Sequence, residues 1–259
     1  MDLEACRDYL AIEDRKPSGM LAAFCVGSVA RGWANPGSDY DLCVVSSDMK
    51  SRPSRAITWV NVPVQPPEVP VEVSFDFGRR WEVKYWTDAQ IAQMLEKVTW
   101  DRFNGSGAAE PLAHVEELFI ERLLTCIPIF GEDWIEAARD NVRQSAYREF
   151  VVSRSLSEAD NAIEDALGQL AANDQNSAVL SAHYAVGHTV DALLDIHGHY
   201  GTRTRKWRAR RVLDAGPTIL AFDDYWAYET MAELDPTDPT EWITDAVNWC
   251  RDLARGVEL

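Results

Sequence analysis

Two aspartates two residues apart, Asp39 and Asp41 in SDYDLCVV, stand at the mouth of an apolar, strand-like run. Side chains of a strand alternate between faces, so both carboxylates point to the same side of a sheet. Like charges held that way repel unless something positive lies between them. Hard divalent cations such as Mg2+ prefer carboxylate and phosphate oxygens and supply the simplest compensation. Upstream, the strand-like LAAFCV ends at Val26, and Gly27 with Ser28 turns the chain into a helix. The first turn of a helix offers backbone N–H groups that suit a phosphate, and Ser28 adds a hydroxyl. Arg31, three residues on, is a further candidate phosphate contact. A third carboxylate is expected on an adjacent strand. Glu82 in WEVKYW is the best placed, with Glu72 and Asp76 as fallbacks.

The surrounding pattern supplies the elements that must hold these groups. Residues 21–26 and 40–46 read as short buried strands separated by RGWANPGSD, whose Asn35, Pro36 and Gly37 mark a turn. After the Pro-rich NVPVQPPEVP, the alternating runs VEVSFDF and WEVKYW fit a hairpin joined by Gly78, Arg79 and Arg80. Thr87 followed by Gln90 predicts a capping box on DAQIAQMLEKV. Beyond the loop FNGSGAAEP the patterns are helical: HVEELFIERLLTC, a long run from about 133 to 171, another over 177–197, and a last one capped by Asp238 with Pro239 at its first position. Strands first and helices later define an α+β chain. The reading is an N-terminal domain over 1–130, with a small mixed sheet flanked by helices, and a C-terminal helical bundle over 131–259. Pro128 and Gly131 mark the boundary.

With 42 acidic against 25 basic side chains, the formal charge of the 259-residue chain is −17. Such a surface repels nucleic acid and attracts cationic small molecules. The longest apolar stretches fall far short of the roughly 20 residues a membrane span needs. The first residues lack the basic start and apolar core of a secretory signal, so a cytoplasmic location is expected. Five scattered cysteines carry neither disulfide nor metal-ligand spacing. His183, His188, His197 and His199 likewise have no partner at a recognised ligand spacing, and a packing or surface role is expected for them.

The strand, the Gly27–Ser28 bend, the spacer ARG and SDYDL at 38–42 together resemble the polymerase-β-like nucleotidyltransferases. WEVKYWTDAQI and IPIFG bring the chain nearest to the kanamycin-type and other antibiotic nucleotidyltransferases. The resemblance implies that Asp39, Asp41 and Glu82 hold Mg2+ around the triphosphate of a nucleotide, ATP above all. Gly27 and Ser28, with Ser38 beside them, contact its phosphates. A nucleoside monophosphate then passes to a hydroxyl of a small polar acceptor, an aminoglycoside-like amine, and pyrophosphate leaves. In that family a carboxylate of the helical domain is the base and the molecule forms a homodimer. SEADNAIEDALGQL occupies the corresponding place, which makes Asp160 first and Glu158 second the candidates. Rival readings are a transferase that modifies a protein partner, as antitoxin-like relatives do, and a regulatory module that only binds nucleotide. Finally, RTRKWRARR at 203–211 is basic within an acidic chain. On a helix, Arg203, Lys206 and Arg210 share a face that could take the triphosphate or pyrophosphate, with Trp207 beneath.

Overall fold

The computed structural model describes residues 3–11, 15–48, 57–106 and 111–257. In chain order its elements are α1 (Leu3–Ala11), β1 (Met20–Val26), α2 (Gly27–Ala30), β2 (Tyr40–Ser46), β3 (Thr58–Asn61), β4 (Glu68–Asp76), β5 (Arg79–Thr87), α3 (Asp88–Lys97), α4 (Trp100–Ser106), α5 (His114–Thr125) and β6 (Ile127–Phe130), and then the helices α6 (Glu132–Gln144), α7 (Tyr147–Ala171), α8 (Gln175–Ile196), α9 (Arg208–Ala215), α10 (Phe222–Glu229) and α11 (Thr240–Ala254). They fall into two units, Met1–Trp100 with Pro111–Ser145, and Asp101–Glu110 with Ala146–Leu259. The interruption at Pro128 and Gly131 is thus internal to the first unit. No described helix is long and apolar enough to cross a membrane.

The first unit is an α+β layer built on a six-stranded sheet in the order β3-β4-β5-β2-β1-β6. Of its pairs only β2 and β5 are parallel, so the sheet is mixed. β1 and β2 are near-continuous apolar runs because both of their faces are covered. On one face Trp81 is stacked between Tyr9, 4.1 Å away, and Tyr40, 4.5 Å away, among Cys25, Leu42 and Val83. On the other, Trp86 and Phe24 meet Phe119 of α5 at 4.6 and 6.3 Å. β4 and β5 form the expected hairpin, but its loop is Phe77 and Gly78, both at positive φ, and Arg79 and Arg80 already belong to β5. A two-residue loop with both residues left-handed matches the twist of the strands it joins. The capping box is present: Thr87 Oγ1 accepts from the Gln90 N–H, and Gln90 Oε1 from the Thr87 N–H.

Four expectations need correction. The run from 133 to 171 is two helices, α6 and α7, broken where Ser145 takes an extended conformation and its hydroxyl folds back on the Val142 carbonyl. Phe103–Ser106, expected in a loop, closes α4; residues 107–110 of the same stretch lie outside the described residues. The last helix begins one residue later than expected, with Pro239 as its cap, although the Asp238 carboxylate still accepts from the Thr240 N–H. The basic run 203–211 is not one helix: Arg205–Trp207 is a 3-10 turn and α9 starts only at Arg208. The shared face expected of Arg203, Lys206 and Arg210 therefore does not form.

The second unit is helical. α8 lies along α7 and against α11, closing a core of Ile163, Ala182, Ala185, Trp242, Ile243 and Cys250. Small residues on the α8 face let the helices approach closely. Gly187 leaves the room that the Arg208 guanidinium fills, since a Cβ there would stand 3.0 Å from it.

Candidate active site

Strand register assembles the site. Val26 at the end of β1 is opposite Asp41 of β2, and Asp41 is opposite Glu82 of β5. The row Val26, Asp41, Glu82 therefore crosses the three central strands where β1 passes into the Gly27–Ser28 bend. Alternation puts Asp41 and Glu82 on the face that carries α5 and away from the Trp81 stack. The fallback carboxylates are committed elsewhere. Glu72 is buried on the opposite face, where it accepts from Arg15 Nε at 2.8 Å and from the hydroxyl of Tyr85 at 3.0 Å. Asp76 accepts from Arg15 Nη2 at 2.7 Å. Burying a guanidinium requires such partners, so these two acids stabilise the sheet's other face.

Gly27 has φ +73°, and a Cβ there would come within 2.6 Å of Asp41 Oδ2. Only glycine combines that backbone angle with so close an approach. The bend and the carboxylate are thus within contact distance of each other. α2 is a single turn, closed by the Arg31 N–H on the Gly27 carbonyl and the Trp33 N–H on the Ser28 carbonyl. Arg31 lays its guanidinium over the Trp33 ring, 4.7 Å from the centroid. Ser38 closes the Asn35–Ser38 turn, its hydroxyl accepting from the Asn35 N–H at 2.9 Å. That turn delivers Asp39 and Asp41 to the start of β2.

Three cations at the site were not read from the sequence. Arg80 Nη1 pairs with Asp39 Oδ2, and its Nη2 lies 3.8 Å from Glu82 Oε2. Lys84 Nζ contacts Glu82 Oε1 at 2.6 Å. Arg122 of α5 acts on Asp41 and Glu82 through its charge. The signal for the first two was available: Arg80, Glu82 and Lys84 alternate along β5 and must share a face. Burial, with the negative charges of Glu82 and Asp39, holds the Asp41 carboxyl above the ordinary range against the opposing pull of Arg122 and Lys84. Burial acts on Glu82 in the same sense, but Lys84, Arg122 and Arg80 outweigh it and lower its pKa. With Asp39 and Glu82 turned to these cations, no three His, Cys, Asp or Glu side chains gather into a metal-holding group among the described residues. The chemistry of the donors suits a hard divalent ion: three carboxylates, two at the start of β2 and, in register beside Asp41, Glu82, with the Asp41 carboxyl held up chiefly by burial.

The remaining candidates lie in the helical unit. Asp160 lines a cavity of about 330 Å³ with Leu156, Thr189, Arg251 and Arg255. Glu158 lines another of about 320 Å³ with Asp165, Tyr184, His188 and Arg205. Burial holds the His188 imidazole below its usual range, against the pull of Asp191. Lys206 and Arg210 are exposed. The neighbouring Arg208 and Arg211 turn inward: Arg208 grips Asp191 through Nε and Nη2 at 3.1 and 2.8 Å, and Arg211 reaches Asp191 and Asp195 at 2.6 and 2.7 Å. Part of the basic run is therefore structural, and no spacing within 203–211 reveals it because the partners are on α8.

Comparison with known proteins bears on the segment that carries these strands. Residues 11–104 match the family model of the nucleotidyltransferase domain. The match supports nucleotidyl transfer as the enzymatic activity of the chain. It takes in β1, the Gly27–Ser28 bend, β2 and the β4–β5 hairpin, and so includes Asp39, Asp41 and Glu82. Among solved structures, a nucleotidyltransferase-like protein from Exiguobacterium sibiricum 255-15 is similar at 15% identity and a TM-score of 0.48, over 98% of this chain and 74% of that one. No curated protein matches the chain.

Proposed function

We propose that the chain is a Mg2+-dependent nucleotidyltransferase that moves AMP from ATP to a hydroxyl of a small polar acceptor bearing amines. The observation that carries this reading is the register of Asp41 with Glu82 beside the Gly27–Ser28 bend, within the nucleotidyltransferase match. Asp39, Asp41 and Glu82 would hold the ion, which when bound neutralises charge on the reacting phosphate. The Gly27–Ser28 bend, with Arg31 and Ser38, would orient the triphosphate. The acceptor oxygen bonds to the α-phosphorus as the bond to the β-phosphate oxygen breaks and pyrophosphate leaves. A carboxylate of α7, Asp160 or else Glu158, would take the hydroxyl proton.

A cationic acceptor is supported by the charge of −17. It is further supported by a cavity of about 570 Å³ in the helical unit where Asp223, Asp235 and Asp245 stand near Trp242 and Trp249. The test is a screen of nucleoside triphosphates against aminoglycosides, lincosamides and other hydroxylated metabolites, read by mass. The expected product is the acceptor plus one nucleoside monophosphate. Label from ATP appearing on a polypeptide band of a host lysate, with no small acceptor modified, would replace this acceptor class by a protein.

A further inference from the structure

We propose that Arg80 and Lys84 are resident counter-ions of the carboxylate site, and that they make it accept a divalent ion already complexed to a nucleoside triphosphate in preference to the bare ion. The inference rests on the reading of Asp39, Asp41 and Glu82 as the metal ligands. β5 presents cation, anion, cation on one face at positions 80, 82 and 84, beside the anions of β2. Arg80 is paired with Asp39 and lies 3.8 Å from Glu82, and Lys84 is 2.6 Å from Glu82. Two of the three carboxylates, Asp39 and Glu82, are therefore already met by cations of β5. A bare divalent ion gains less attraction from a face whose negative charge is already partly matched.

A triphosphate changes that balance. Its oxygens offer Arg80 a bidentate partner and Lys84 a point-charge partner, so both can leave the carboxylates as the nucleotide arrives with its ion. The pairs are built for exchange. Asp39 and Arg80 are 36 and 40% exposed, so that pair can open at small cost, while Glu82 and Lys84, at 22 and 17%, exchange only as the triphosphate supplies the replacement charge. Ion and nucleotide binding are then positively coupled.

The test is titration of the full chain with Mn2+, followed by the electron paramagnetic resonance of the free ion, with and without a non-hydrolysable ATP analogue. The wild type is expected to bind Mn2+ weakly alone and about tenfold more tightly with the analogue. Lys84→Met should tighten binding of Mn2+ alone by about tenfold and shrink the coupling, while Lys84→Arg restores the wild-type pattern. Arg80→Met, at the exposed start of β5, should act in the same direction and carries the test if Lys84→Met fails to fold. A merely structural lesion would loosen the ion. Unchanged or weaker Mn2+ affinity in the methionine variants, with wild-type circular dichroism, overturns the proposal and leaves the metal ligands standing. Absence of Mn2+ binding by every protein, with or without the analogue, overturns both.

Discussion

Two charge clusters, one in each unit, use the same residue types for opposite ends. In the sheet unit, Asp39, Asp41 and Glu82 face Arg80, Lys84 and the charge of Arg122 at a part-exposed end of the central strands. In the helical unit, Asp191 and Asp195 face Arg208 and Arg211, all nearly inaccessible to water, with bidentate contacts and a carbonyl, that of His199, taking a further guanidinium N–H. Removing a partner from a buried pair strands a charge in a poor solvent, whereas exposed pairs can be exchanged at small cost. Composition alone cannot separate an exchangeable cluster from a fixed one. Depth and the identity of the partners do.

Substitutions in the two clusters are expected to have different consequences, and equal ones would show that the clusters do not differ in kind. The largest contrast is expected from Asp41→Asn against Asp191→Ala. Asp41→Asn should lower nucleotidyl transfer by about 10³-fold and leave the thermal midpoint near that of the wild type. Asp191→Ala leaves two buried guanidiniums without their shared acceptor and should cost about 3–5 kcal/mol in urea unfolding. Gly27→Ala ranks next. The positive φ and the approach to Asp41 should cost about 1–3 kcal/mol and reduce turnover, measured side by side on one preparation.

A smaller and graded effect comes from acid. Burial opposes ionisation of Asp191, but Arg208 and Arg211 outweigh it and hold the folded pKa below the ordinary carboxylate value. The stabilisation is therefore complete above the unfolded pKa and is lost as pH falls from there through the folded value. Denaturation midpoints measured down through the acid range should decline, and Asp191→Asn should flatten that decline. The smallest effect is Thr87→Ala, which removes one half of the capping box and should cost about 1 kcal/mol without altering transfer.

Much of the sheet unit was legible because its signals are local. Apolar runs gave β1 and β2, Thr87 and Gln90 gave the start of α3, and Gly27 announced a bend that only glycine permits. Asp41 and Glu82 could be chosen as a pair from alternation and from the strand that leads into α3. What stayed hidden depends on distant partners. Nothing near Arg208 tells that Asp191 will bury it, and nothing near Glu72 tells that Arg15 will claim it. The break at Ser145 was hidden for another reason: the apolar period resumes across it, so the helical signal reads as continuous. Arg80 and Lys84 are legible in principle, since they alternate with Glu82 along β5.

The alternation along β5 also ties assembly to competence. Sliding β5 by one residue against β2 would drive Arg80, Glu82 and Lys84 into the layer of Tyr9 and Tyr40 and turn Trp81 and Val83 out to the opposite side. That misalignment would desolvate three charges at once, so a stably paired sheet carries the candidate row of carboxylates already in line.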